Sequence, residues 1–383
     1  MSDPGWVVLR LGARPFFVLA AAWAVLAMAI WPAVLMGDLA LPTAFPVVAW
    51  HAHELVFGFT GAVMAGFLLT AIPNWTGRKP VAGAALGGLV LAWIAGRLAV
   101  GCSAWLGDAS IVAALIFPVA LAGVAWREIS ASGNARNRKV VAVLGLFAGC
   151  DLWFQIAVRQ GWDTAPAQRG GIAILVALVL LIGGRVVPNF TRNWLKRNAI
   201  ASAIPEFGRG DVICAGLAAA GLLGWVAAPE TIWLAPLFAV AGIATLWRMA
   251  RWGGWAARRD WLMAVLHVGF AVAGLGFLAA TAAALWPDAI PQALVVHVWT
   301  VGAIGLMTTG MMTRATLGHT GGTLRADGPT RAIYAAVGAA LLARLGVVLL
   351  PSFALPLIGV AAALWCAAFA LFLWRYGRAL LSG

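Results

Sequence analysis

Two histidines and a glutamate stand where hydrocarbon should begin. The stretch Trp50-His51-Ala52-His53-Glu54-Leu55-Val56-Phe57-Gly58-Phe59 opens a long apolar run that closes at Pro73-Asn74-Trp75-Thr76, and His297 lies a few residues into another such run. Ionisable groups at membrane depth are costly and are kept for function. Imidazole is the commonest metal ligand, and a carboxylate in apolar surroundings suits proton uptake and release. The residue types therefore point to metal or haem ligation combined with proton handling.

Helical geometry divides the work among these groups. At about 100° per residue, His51 and His53 point roughly 200° apart, so a regular helix does not aim both at one metal. His51 and Glu54, three residues apart, share a face. Either the helix start is irregular and both histidines converge, or they do different work. In the second case one of them, with His297 across from it, fills the two axial positions of a haem. The other, with or without Glu54, holds copper or orients a ligand. The shared face of His51 and Glu54 favours His53 for the haem and leaves His51 and Glu54 for copper or protons. Glu54 is the candidate catalytic carboxylate; the plainer alternative is an acid that only hydrogen-bonds His51. His267 and His319, near the inner ends of their runs, form a second metal-ligand pair. A lone intramembrane histidine is more often a packing residue, but three at one depth favour a cofactor.

Arg97, Arg185 and Arg344 also fall within apolar runs. Arginine there pairs with an anion or reaches an interface. Haem propionates would be suitable anions, with Arg185 the candidate cofactor contact, while Asp151 is the obvious protein partner for simple Asp–Arg pairing. Met307, Met311 and Met312 offer soft sulfur but read as core filler. Cys102, Cys150, Cys214 and Cys366 are scattered singly, without metal-type pairing.

The elements that must position these groups are set by composition. With 63% hydrophobic and 10% charged residues, the 383-residue chain is excluded from the water-soluble globular class. A span needs about 20 apolar residues. Twelve runs qualify, at 15–36, 50–72, 81–100, 108–126, 139–158, 168–187, 211–228, 229–250, 261–284, 290–312, 330–350 and 351–374. They describe an all-α polytopic membrane protein, a single integral domain over 1–383 embedded in the lipid bilayer.

The net charge of +13 encodes orientation. With both termini cytoplasmic, the inside segments collect clusters such as Arg78-Lys79, Arg136 to Lys139 and Lys196-Arg197. The outside loops hold only Arg159 and Arg169. That is the positive-inside bias, so the basicity calls for no nucleic-acid partner.

The runs also repeat. The second ends in Pro73-Asn74-Trp75-Thr76, the sixth in Pro188-Asn189-Phe190-Thr191, and the tenth more loosely around Thr316. If the second, sixth and tenth correspond, four helices are repeated three times, the plan of haem–copper oxidase catalytic subunits. That is fold-level analogy and does not establish function.

Taken together, these blocks resemble the NnrS family. The likeness rests on His51-Ala52-His53-Glu54 with Phe57-Gly58-Phe59, on Gly66-Phe67-Leu68-Leu69-Thr70 running to Thr76-Gly77, and on Gly183-Gly184-Arg185 with Pro188-Asn189-Phe190-Thr191. It continues through Asp260-Trp261, His267, Gly269-Phe270, His297, Thr300, Gly302 and Gly305 to Gly310-Met311-Met312 and Leu317-Gly318-His319-Thr320-Gly321. Gly322 stands where a basic residue is more usual. The resemblance implies a twelve-span bacterial inner-membrane protein holding haem b and copper and tied to nitric oxide metabolism or nitrosative-stress protection. Nitric oxide is then the expected ligand, with its reduction by electrons from an unidentified donor as a further expectation. Twelve spans fit a second class equally well, a secondary transporter that couples protons through Glu54, Asp151 and the histidines.

Overall fold

Twelve helices long and apolar enough to cross a membrane make up the computed structural model, which describes residues 4–133, 137–201 and 203–382. Arg136, one of the inside charges, lies outside these. In chain order the helices are α1 (Ala13–Met36), α2 (Val47–Thr76), α3 (Gly83–Gly101), α4 (Ala109–Ala131), α5 (Arg138–Gln160) and α6 (Ala165–Arg197), followed by α7 (Arg209–Ala227), α8 (Ile232–Ala250), α9 (Trp261–Leu285), α10 (Gln292–His319), α11 (Gly328–Leu349) and α12 (Pro351–Ser382). The described residues contain no strand. The fold is all-α and polytopic.

The ends of α2 and α6 differ from the sequence expectation. Both helices run on through Pro73 and Pro188, where the apolar pattern stops. A proline ring removes one backbone donor and crowds the preceding turn. Just beyond each proline a threonine turns back onto the helix. Thr76 Oγ1 donates to the Ile72 carbonyl at 2.8 Å, and Thr191 Oγ1 to that of Val187 at 2.9 Å. α2 then stops at Gly77, whose φ of 69° is left-handed and suits glycine.

By contacts the chain separates into two units. The first holds residues 1–171, 315–322 and 369–383. Its centre is α2, against which α1, α3, α4 and α5 all pack. Of the apolar window of α2, 72% is buried, against 33% of that of α1. Arg78 Nε pairs with Glu128 Oε2 at 2.7 Å, tying the end of α2 to that of α4. Arg159 Nε pairs with Asp108 Oδ1 at 2.7 Å at the other ends of α4 and α5. Each pair joins helix ends that the charge pattern assigns to one side of the membrane.

The second unit holds residues 172–314 and 323–368. Here α9 packs against α6, α8 and α10, and α10 against α11. Trp299 is fully buried at the α9–α10 crossing, edge-on to Trp225 and Phe277, with its indole N–H donating to the Ala273 carbonyl at 3.0 Å. Arg248 is buried too. It pairs with Asp211 at 2.8 Å and donates to the carbonyls of Leu180 and Gly184.

Those carbonyls flank a wide turn. α2, α6 and α10, the helices with the repeated exit motif, each contain a π-helical segment, at Glu54–Phe59, Val179–Gly183 and Val298–Ile304. Such segments shift the faces of a helix and concentrate at functional positions. Two of the three begin immediately after a histidine, His53 and His297.

Candidate functional site

His53 and His297 occupy one register. Glycines follow His53 at five, eight and thirteen residues (Gly58, Gly61, Gly66) and follow His297 at the same intervals (Gly302, Gly305, Gly310). Thr76-Gly77 and Thr320-Gly321 close the two runs at equal distances, and both closing glycines have positive φ. α2 and α10 therefore repeat through their histidines, and the threonine matching Thr76 is Thr320 instead of Thr316. What surrounds the two imidazoles is opposite in charge.

His53 is fully buried between two carboxylates. Its Nδ1 lies 3.0 Å from Glu54 Oε1 and its Nε2 2.8 Å from Asp151 Oδ1. Arg97 Nη1 donates to the same Glu54 oxygen at 2.7 Å, and Gln155 Nε2 to Asp151 Oδ1 at 2.8 Å. The expected partners are thus rearranged. Glu54 bonds His53, its neighbour in the chain, at the point where the wide turn begins. Asp151, expected on an arginine, serves His53 and Gln155, because Arg97 is taken by Glu54. Phe45, Phe57 and Phe154 enclose the imidazole, with ring centroids 5.1–5.4 Å away.

Ionised carboxylates only accept hydrogen bonds. Both contacts of His53 are satisfied only when the imidazole donates from both nitrogens or one carboxyl keeps its proton. Either way the three groups hold one proton beyond the neutral imidazole. Among the described residues, buried polar atoms of this network without a partner include Glu54 Oε2, Arg97 Nε and Gln155 Oε1, and Trp23 Nε1 lies close by. Gly58 leaves the space between the first two and Trp23; a Cβ there would lie 2.8 Å from Arg97 Nη1, 3.0 Å from Glu54 Oε2 and 3.1 Å from Trp23 Nε1. A cavity touching Arg97, Asp151, Phe57 and Gly61 has room for about one water molecule. This arrangement can hold a proton between the carboxylates and the imidazole. As arranged, neither nitrogen of His53 is turned to a metal.

His297 has no carboxylate. Its Nδ1 lies 2.6 Å from the Ala293 carbonyl and its Nε2 2.9 Å from Arg344 Nη2. A carbonyl only accepts and a guanidinium only donates. The partners fix the neutral tautomer, with Nδ1–H donating and the Nε2 lone pair facing outward. A histidine whose Nδ1–H is held by a backbone carbonyl has the usual orientation of a metal ligand. Here the lone pair is capped by Arg344, whose Nε and Nη1 are buried without a partner.

The other candidates stand apart. His51 stacks on Trp31 of α1 with ring centroids 4.1 Å apart. His267 is walled in, with Nδ1 3.0 Å from the Met263 carbonyl, Nε2 3.4 Å from Thr191 Oγ1, and the backbone of Gly254 against its ring. His319 is exposed at the end of α10, and Arg185 is exposed with its guanidinium 5.8 Å from the Phe207 ring centroid. Among the described residues no three of His, Cys, Asp and Glu gather as a metal site requires. The role of Arg344 as cap of His297 was invisible in the sequence, but the shared His–Gly–Gly–Gly spacing was there to be found.

A family model described as NnrS protein matches residues 7–383. No protein among the curated ones matches. With nearly all of its length matched, this chain belongs to the NnrS family.

Proposed function

We propose that this protein binds haem b in the bacterial inner membrane as part of the nitric oxide response, with His297 as the residue that would hold it and the Glu54–His53–Asp151 network as a proton-holding centre. The observation that carries the reading is the fixed tautomer of His297, which presents a lone pair on Nε2. When bound, haem would supply an iron able to take a diatomic such as nitric oxide, which is small and apolar enough to arrive through lipid. The chain's own part is to orient the imidazole through Ala293 and to keep water away. Reduction of nitric oxide would draw electrons from an outside donor and protons from groups such as Glu54. Copper belongs to the same reading, yet the described residues converge on no ligand set for it, and no step is derived through it.

The purified protein is expected to show a Soret band that His297→Ala removes or shifts; an unchanged spectrum would overturn the ligand assignment. Anaerobic nitric oxide consumption with a reductant, compared between wild type and Glu54→Gln, tests turnover.

A proton-coupled secondary transporter is the second reading, favoured by the buried carboxylate–imidazole–carboxylate chain of Glu54, His53 and Asp151. A colourless, metal-free preparation would put it ahead.

A further inference from the structure

We infer that Arg344 is the seat of an oxyanion carried on an apolar body, and that occupation of this seat uncaps His297. Arg344 lies within α11, and its side chain makes no ion pair among the described residues. Of its five donors, those on Nε and Nη1 are buried and unused, while Nη2 spends itself on a neutral imidazole. A guanidinium removed from water without a counter-charge is strongly destabilising. The two fully buried arginines among the described residues each have an acid: Arg97 has Glu54 and Arg248 has Asp211. A carboxylate or phosphate takes two parallel hydrogen bonds from either the Nε/Nη2 or the Nη1/Nη2 edge of the fork, and both edges include the Nη2 that His297 now holds.

The coupling to His297 follows from the same side chain. An oxyanion that takes either edge, through Nη2 and one of the unused nitrogens, therefore displaces a weaker, uncharged acceptor from Nη2. As Arg344 turns to the anion, the Nε2 lone pair of His297 is released with its tautomer already set by Ala293. Arg344 is a positioning residue, holding the ligand's acid group and keeping the imidazole capped until that ligand arrives. Two molecules carry the required chemistry at membrane depth, a porphyrin with propionate groups and a lipid with an anionic headgroup. Only the choice between them rests on the haem reading.

Full-length protein made in a haem-deficient host and titrated in detergent with haem b, and in parallel with haem dimethyl ester, separates these sources. Wild type is expected to bind the free acid about tenfold more tightly than the ester. Arg344→Gln is expected to erase that preference without weakening ester binding, and Arg344→Lys to restore part of it. A free-acid preference unchanged in Arg344→Gln would overturn the inference. Should Arg344→Gln fail to fold, equal affinities of wild type for acid and ester would overturn it as well. If wild type binds no haem but retains phosphatidylglycerol in native mass spectrometry, and loses it in Arg344→Lys or Arg344→Gln, the seat stands as a lipid site and the haem reading falls. If wild type retains neither, the inference fails.

Discussion

Nε2 of His53 lies 2.8 Å from Oδ1 of Asp151, a carboxylate supplied by α5 to an imidazole on α2. The contact is one arm of a charged group in which Glu54 also faces Arg97. The arms are unequal. Replacing Glu54 by Gln leaves the buried Arg97 without a counter-charge, and breaking a buried pair costs about 3–5 kcal/mol. Asp151→Asn keeps an acceptor for Gln155 and disturbs one hydrogen bond, worth about 1–3 kcal/mol. Thermal unfolding in detergent is expected to rank Glu54→Gln below Asp151→Asn, and the reverse order would mean that Arg97 does not depend on Glu54.

Packing makes a contrast between two glycines. A Cβ at Gly276 would lie 2.1 Å from Nε1 of Trp299, a fully buried ring held on both sides by aromatic neighbours. Overpacking of this kind costs about 1–3 kcal/mol or more. Gly123 on α4 has nothing within 4 Å of an added Cβ, and alanine there gains helix propensity of about 0.5–1 kcal/mol. Gly276→Ala is expected to lower the unfolding temperature clearly, and Gly123→Ala to leave it level or raise it slightly. Equal behaviour of the two would show that α9 yields around Trp299.

The sequence made the architecture legible because hydrocarbon tolerates little else. Runs of apolar residues found all twelve helices to within a few residues at most ends, and the exceptions, α2, α4, α6, α10 and α12, run several residues further at their C-terminal ends. Hydropathy stops at Pro73, whereas the hydrogen bonding of Thr76 carries the helix past it. The chemistry was only half legible. His53, Glu54 and Asp151 stood out by type, but the contact of His53 with Asp151 is a tertiary one between two helices that no residue pattern announces. Ideal geometry put Glu54 on the face of His51, while its hydrogen bond in the structure goes to its chain neighbour His53. Arg344 stood out as an intramembrane cation, while its capping of His297 is a tertiary fact about α10 and α11.

Orientation is open to direct measurement. Arg159 and its partner Asp108 are exposed, and exposed ion pairs contribute little, so Arg159→Cys should fold normally. In a background with the four native cysteines replaced by alanine, Arg159→Cys is expected to react with a membrane-impermeant maleimide on intact cells. Lys79→Cys is expected to react only after permeabilisation. Opposite labelling would invert the assigned topology and place the Asp108–Arg159 end in the cytoplasm.

The tautomer of His297 can be read without reference to any bound group. Arg344 cannot accept a hydrogen bond and the Ala293 carbonyl cannot donate one, so the imidazole has a single arrangement compatible with both contacts. In protein labelled with ¹⁵N-histidine, a resonance lost in His297→Gln is expected to show a protonated Nδ1 and a bare Nε2. Arg344→Lys retains a donor and should keep that pattern, whereas Arg344→Leu removes the cap and frees Nε2 without changing which nitrogen is protonated. The decisive feature is the proton on Nδ1. If it sits on Nε2 instead, Ala293 does not hold the ring, Arg344 cannot be its cap, and the lone pair points away from the position proposed for a metal.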